Sequence, residues 1–194
     1  MNTHQRTVRI DVARFITNGL NPFFVFTALY ALVAFWEANV AQALLYLGVE
    51  LVAAVFVAGY VFQLRRQRRV GDFWISVRAE RVMPSLLLLL AFVVLLGALL
   101  FLGAPETLFL ATFSMGLASA AVAATTLVWK VSAHSAVAGH AALASFIILG
   151  LTGLVFTIVL LLVLWSRVAL GVHTLLQALA GAGIGAALAF VLLA

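Results

Sequence analysis

Apolar positions dominate this chain in long unbroken runs, without the polar residue every third or fourth place that marks a helix lying on a soluble core. The runs cover roughly residues 22–36, 40–62, 84–102 and 107–129, and a further stretch reaches from about 135 to 194. An apolar run of about 20 residues is what a helix needs to cross the hydrocarbon of a bilayer. Within lipid, helices satisfy every backbone group internally. The pattern therefore predicts an all-α, polytopic transmembrane helix bundle of six to seven spans. Ahead of the first run, Arg9, Asp11 and Arg14 alternate with Val8, Ile10, Val12 and Phe15, which predicts a segment lying along the membrane interface. Asn21-Pro22 reads as an N-cap followed by proline at the first helical position. The second run holds Glu50 near its middle. A carboxyl there is expected to be protonated or hydrogen-bonded to a neighbouring helix, with a proton relay as the sharper alternative.

The final stretch is ambiguous at Gly150-Leu151-Thr152-Gly153. One long tilted helix and a hairpin of two short ones both fit the hydropathy. Charge separates them. The eleven Lys and Arg comprise Arg6, Arg9 and Arg14 before the first span, six arginines from Arg65 to Arg81 between spans two and three, Lys130 after span four, and Arg167 before the last span. With a hairpin at 150–153 all eleven lie on one membrane face; with a single span Arg167 stands alone opposite. The hairpin reading is preferred. It implies seven spans, a C-terminus on the other face and, by the positive-inside bias, a cytoplasmic position for the basic face in the cell membrane.

Composition narrows the class further. At 194 residues, 66% hydrophobic and a mean hydropathy of +1.24, the chain is expected to be one integral-membrane domain, residues 1–194, because no polar stretch is long enough to fold alone. Its polar, charged start is not expected to be a cleavable leader. Cysteine is absent, which excludes disulfides, thiolate metal sites and cysteine nucleophiles. A net charge of +5 on such a chain points to phosphate headgroups, and no aromatic-interleaved basic motif suggests nucleic acid. The oligomeric state is left open.

Only 9% of residues are charged, so polar groups beside apolar runs call for a reason. Three polar knots stand out: Arg78 to Arg81, Lys130 to His134, and Ser166 to Gln177. Arg167 is a fixed planar cation suited to phosphate. His173 and Gln177 are four apart, so on a helix they share a face, and the amide oxygen can accept the imidazole N–H. The same row continues as Gly181 and Gly185, small residues that let a neighbouring helix approach closely. The bland reading is a membrane-entry segment whose polar groups snorkel to the headgroups.

Ser166-Arg167, five residues, His173, three residues and a polar side chain together resemble the third signature of the type-2 phosphatidic acid phosphatase (PAP2) superfamily, Ser-Arg, five residues, His, three residues, Asp. Val131-Ser132-Ala133-His134 is similar to its second signature, Pro-Ser-Gly-His, and Arg78-Ala79-Glu80-Arg81 with Pro84 loosely echoes the first, a Lys, six residues, Arg-Pro. Two departures stand. Gln177 replaces the usual Asp, in the manner of the dolichyl-diphosphate phosphatase branch, and the Lys of the first signature is missing. Gln can orient an imidazole but cannot neutralise an imidazolium.

What the resemblance implies is metal- and cofactor-independent phosphoryl transfer through a phosphohistidine. His173 is the implied nucleophile, with Gln177 fixing its tautomer, and His134 the acid and base. Arg167, Arg78, Arg81 and Lys130 would hold phosphate oxygens and Ser132 would donate a further hydrogen bond, with Asp72 and Glu80 orienting the arginines. Arg65, Arg66, Arg68 and Arg69 read as topology and lipid anchors, and His140 as a packing residue. The implied substrate is a membrane lipid carrying phosphate or diphosphate. A polyprenyl diphosphate giving the monophosphate is preferred, with phosphatidate or phosphatidylglycerophosphate as the alternative. Two readings from other classes stay open: a non-catalytic lipid-phosphate binder or transporter, and a membrane scaffold with no phosphate site.

Overall fold

The computed structural model describes residues 3–70, 80 and 82–194, and every regular element among them is helical. The helices are α1 (Thr3–Gly19), α2 (Pro22–Glu37), α3 (Val40–Arg66), α4 (Val82–Phe101), α5 (Glu106–Val128), α6 (Ala133–Leu149), α7 (Val155–Ala169) and α8 (Leu175–Leu193). Their starts are written locally. The Asn21 side chain accepts from Phe24 N at 3.1 Å ahead of Pro22, and Asn39 accepts from Gln42 N at 3.0 Å. Ser132 caps α6 by accepting from Ser135 N at 3.2 Å.

The surface is that of a membrane protein. Along α3 and α4, Val52, Phe56, Leu90, Val93 and Val94 are all more than half exposed. A row of large apolar side chains on the outside is stable where the solvent is lipid. Five helical stretches are long and apolar enough to cross a membrane, with α6 and α7 (Ala133–Ala169) counted as one, and six when α1 and α2, bent by 46°, count as one span. That is lower than seven for a physical reason. α6 and α7 have 17 and 15 residues, so each is only about 22–26 Å long, short of a full hydrocarbon thickness.

α6 and α7 nevertheless fold back on each other. A 3₁₀ turn, Gly150–Leu154, joins them, and Gly153 sits so close to the Ser145 carbonyl that a Cβ there would collide with it. Ser145 Oγ donates to Gly153 O at 3.0 Å across the same turn. His134 at the start of α6 and Arg167 near the end of α7 consequently line one cavity, which a continuous 37-residue helix about 55 Å long would forbid.

α6 is the hub, packing on α2, α5, α7 and α8. Its approach to α8 is the tightest. A Cβ on Gly139 would enter the Ala182 backbone, one on Gly181 the Ser132 carbonyl, and one on Gly185 the Ala136 carbonyl. The small-residue row read from the sequence thus has α6 as its partner. One end of the bundle is filled by an apolar core of Leu29, Tyr30, Val33, Tyr46, Leu99, Leu108 and their neighbours. The other end is hollow.

The segment ahead of α2 is a helix packed on the bundle rather than one free along the interface. α1 buries Ala13 and Thr17, one turn apart, and Thr17 Oγ1 donates to Ser166 Oγ on α7 at 2.9 Å. Its charged face, with Asp11 and Arg14 at 3.7 Å, stays exposed.

Candidate active site

The hollow end is a cavity of about 180 Å³. The starts of α2, α4 and α6 (Pro22, Pro84 and His134) line it together with the ends of α3, α5 and α7 (Val61, Thr126 and Arg167), as an up-and-down bundle requires. His173, from the loop before α8, completes it. His134, Arg167 and His173 are respectively 6%, 4% and 6% exposed. Three ionisable side chains, separated by as many as 39 positions, are therefore withdrawn from solvent around one space. The starts of α2, α4 and α6 border that space, and the positive ends of their helix dipoles favour an anion there.

The spacing between Arg167 and His173 has a local cause. α7 ends with Leu170 N donating to Ser166 O at 3.0 Å and Gly171 N donating to Val168 O at 3.0 Å. Gly171 then takes φ +68°, which reverses the chain and which a β-carbon disfavours. His173 N returns to donate to Arg167 O at 3.4 Å. Five intervening residues close this loop, so both side chains reach the same cavity.

Gln177 does something other than expected. His173 is not helical: α8 is capped at Thr174 and starts at Leu175, so the two residues do not share a helix face. Gln177 Oε1 accepts from Thr174 N at 3.1 Å while Thr174 Oγ1 accepts from Gln177 N at 3.2 Å. This is a capping box, the reciprocal closure that a Thr followed three places on by Gln favours. The amide oxygen expected to orient His173 is spent on the backbone, and Gln177 is not among the cavity-lining residues.

The remaining expected residues divide. Ser132 is fully buried beneath α8, its N–H donating to Gln177 O at 3.3 Å and its oxygen accepting from Ser135 Oγ at 2.9 Å. It supports the His134 turn without lining the cavity. Lys130 is half-buried in the turn between α5 and α6, beside the lining. Glu80 is also half-buried, whereas Asp72, Arg78 and Arg81 lie outside the described residues. Arg65 and Arg66 close α3 at the cavity end of the bundle, with exposed Arg68 and Arg69 just beyond.

Cavity residues that the sequence did not single out are Ser85, Ser119 and Thr126. Ser119 and Thr126 share a face of α5 with Met115, spaced at four and seven residues, and that periodicity was the available signal. Thr126 is buried and its hydroxyl has no hydrogen-bond partner among the described residues. His140, six residues beyond His134, is fully buried and stands 2.7 Å from Ser114 Oγ of α5. It ties α6 to α5, in keeping with a packing residue. Glu50 accepts from Thr27 Oγ1 on α2 at 2.8 Å, the neighbouring-helix bond expected of it. Among the described residues, no three His, Asp or Glu side chains gather as a metal site.

No protein-family model matches this chain, and no curated protein or solved structure is detectably similar to it. The arrangement of side chains is thus the basis for a functional reading.

Proposed function

We propose that the protein is a PAP2-type lipid phosphatase that removes the terminal phosphate of a polyprenyl diphosphate. The observation that carries this reading is the convergence of His134, Arg167 and His173, all buried, on one cavity at the end of an apolar bundle. Two imidazoles and a guanidinium supply a nucleophile, a proton carrier and an anion clamp, which is what phosphoryl transfer asks of a protein.

In the proposed reaction a ring nitrogen of His173 bonds to the terminal phosphorus as the bond from phosphorus to the bridging oxygen breaks. His134 gives its proton to the departing monophosphate oxygen. In the second step His134 takes a proton from water, whose oxygen attacks phosphorus and breaks the phosphorus–nitrogen bond, releasing inorganic phosphate. Arg167 and the first turn of α6 bind the non-bridging oxygens, and Thr126 adds a donor from α5. The basic residues at this end of the bundle favour a site on the cytoplasmic face of the cell membrane, by the positive-inside bias.

The test is release of phosphate from farnesyl diphosphate by purified protein in the presence of a chelator, with a labelled phosphoenzyme trapped on alkaline quench, which preserves a phosphorus–nitrogen bond. Loss of both signals in His173→Ala, with retained phosphoenzyme but slowed turnover in His134→Ala, is the expected result. One observation favours the binder: Gln177 gives its oxygen to the helix cap, so the nucleophile lacks that partner. Lipid-phosphate binding without release in the wild type would select that reading instead.

A further inference from the structure

Below the cavity, the seam between α3 and α4 continues downward as a single file of openings. On α3 the row Val61, Val57, Ala53, Val49 and Leu45 descends one helical turn at a time. On α4 the matching row is Pro84, Leu88, Ala91 and Leu95. Val61, Val57, Pro84 and Leu88 line the cavity that holds His134, Arg167 and His173. Val57 and Leu88 also line a small chamber of about 40 Å³, which Ala53, Ala91 and Leu95 share. Those three in turn line a groove of about 680 Å³ reaching Val49 and Leu45. The three spaces adjoin through common side chains, and the α3 row extends for about 24 Å, most of a hydrocarbon thickness.

The groove is lined only by apolar residues, and its flanks (Val52, Phe56, Leu90 and Val94) are exposed. Its depth comes from missing side-chain volume. Gly48 has nothing within 4 Å of where a Cβ would stand, so helix packing does not require glycine there. Ala53 and Ala91 open the threshold between chamber and groove. α3 packs chiefly on α2 and α4, so its remaining face is free for lipid.

Resting on the phosphatase reading above, we infer that this α3–α4 seam is the binding track for the single hydrocarbon tail of the polyprenyl substrate while its diphosphate sits against His134, Arg167 and His173. Between cavity and groove the track narrows to the chamber of about 40 Å³, which has room for one chain; a two-chain phospholipid would have to leave its second chain outside. An apolar groove continuous, through a small chamber that Glu50 also lines, with the cavity that holds His134, Arg167 and His173 is the complement of such an amphiphile. Ala53 and Ala91 become specificity-determining positions.

The experiment uses the full-length protein in nanodiscs with a farnesyl diphosphate analogue bearing a diazirine at the tail end. Photolysis followed by peptide mapping is expected to place adducts between residues 44 and 56 and between 87 and 95, suppressed by excess farnesyl diphosphate and not by excess phosphatidylglycerol. Adducts elsewhere, or equal suppression by the phosphatidylglycerol that merely surrounds the protein, overturn the inference. Ala53→Phe supplies the second measurement. The ratio of kcat/KM for farnesyl over dimethylallyl diphosphate should fall about tenfold or more, the scale on which a pocket reads hydrocarbon bulk; an unchanged ratio overturns the track. If adducts map to the seam but no phosphate is released from any substrate, the phosphatase reading fails while the tail site stands. If phosphate is released and the adducts map elsewhere, the reverse holds.

Discussion

A guanidinium only 4% exposed is costly to desolvate unless neighbouring groups and a ligand complete its bonding, and Arg167 is held in that state at the edge of a cavity. Such residues are legible in a sequence because they are rare in apolar runs, and His134, Arg167 and His173 were all readable on that ground. Thr126 was not, because serines and threonines in a span ordinarily bond their own helix. Its neighbour does so: Thr125 Oγ1 donates to Ala121 O at 2.8 Å, whereas Thr126 lines the cavity and its hydroxyl has no such bond among the described residues. Nothing in the sequence distinguishes two adjacent threonines; the rotation of α5 does. Thr126→Val keeps the shape and removes a hydroxyl with no partner among the described residues, so stability should be nearly unchanged. If the hydroxyl serves the phosphate, KM should rise about three- to tenfold, the worth of one hydrogen bond. Thermal unfolding in detergent alongside steady-state kinetics checks both halves, and a lowered melting temperature with unchanged KM would return Thr126 to a structural role.

At the scale of elements, hydropathy gave away the helices, and charge decided the hairpin that hydropathy left open. The start of α8 was misread because Thr174 and Gln177 satisfy two patterns at once, a phosphatase-like signature and a capping box. Backbone groups at a helix start must be satisfied in any fold, so the local pattern claimed the amide. The α6–α8 contact carries the site, since it seats Ser132 and His134 beside the loop that bears His173. Gly185→Val inserts bulk where the Ala136 carbonyl stands and should cost about 1–3 kcal/mol. The same change should lower phosphate release by displacing the His134 turn. Gly59→Ala on α3, where nothing lies within 4 Å, is the control and should leave melting temperature and turnover near wild type. If Gly185→Val melts like the wild type, the close approach of the two helices is not what holds the site.

For the whole molecule, the division between a packed end and a hollow end is a consequence of alternation. Each helix from α2 to α7 presents to the cavity the end that an up-and-down path dictates, and Arg65, Arg66 and Lys130 fall at that end with Arg167. The sequence could not have fixed this from lengths alone, because α6 and α7 are each shorter than a full crossing. The absence of cysteine makes sidedness directly measurable: single cysteines can be placed without removing any. In sealed vesicles a membrane-impermeant maleimide should reach cysteines at Arg68, Lys130 and Gly171 from one face, and those at Ala38 and Ala104, in the turns after α2 and α4, from the other. Lys130 and Gly171 are the informative pair. They flank the α6–α7 hairpin, so labelling from the same side follows only if the chain reverses between them. Labelling from opposite sides would make residues 133–169 one continuous crossing, separate His134 from Arg167 by the thickness of the bilayer, and leave no single cavity in which a phosphate could meet both.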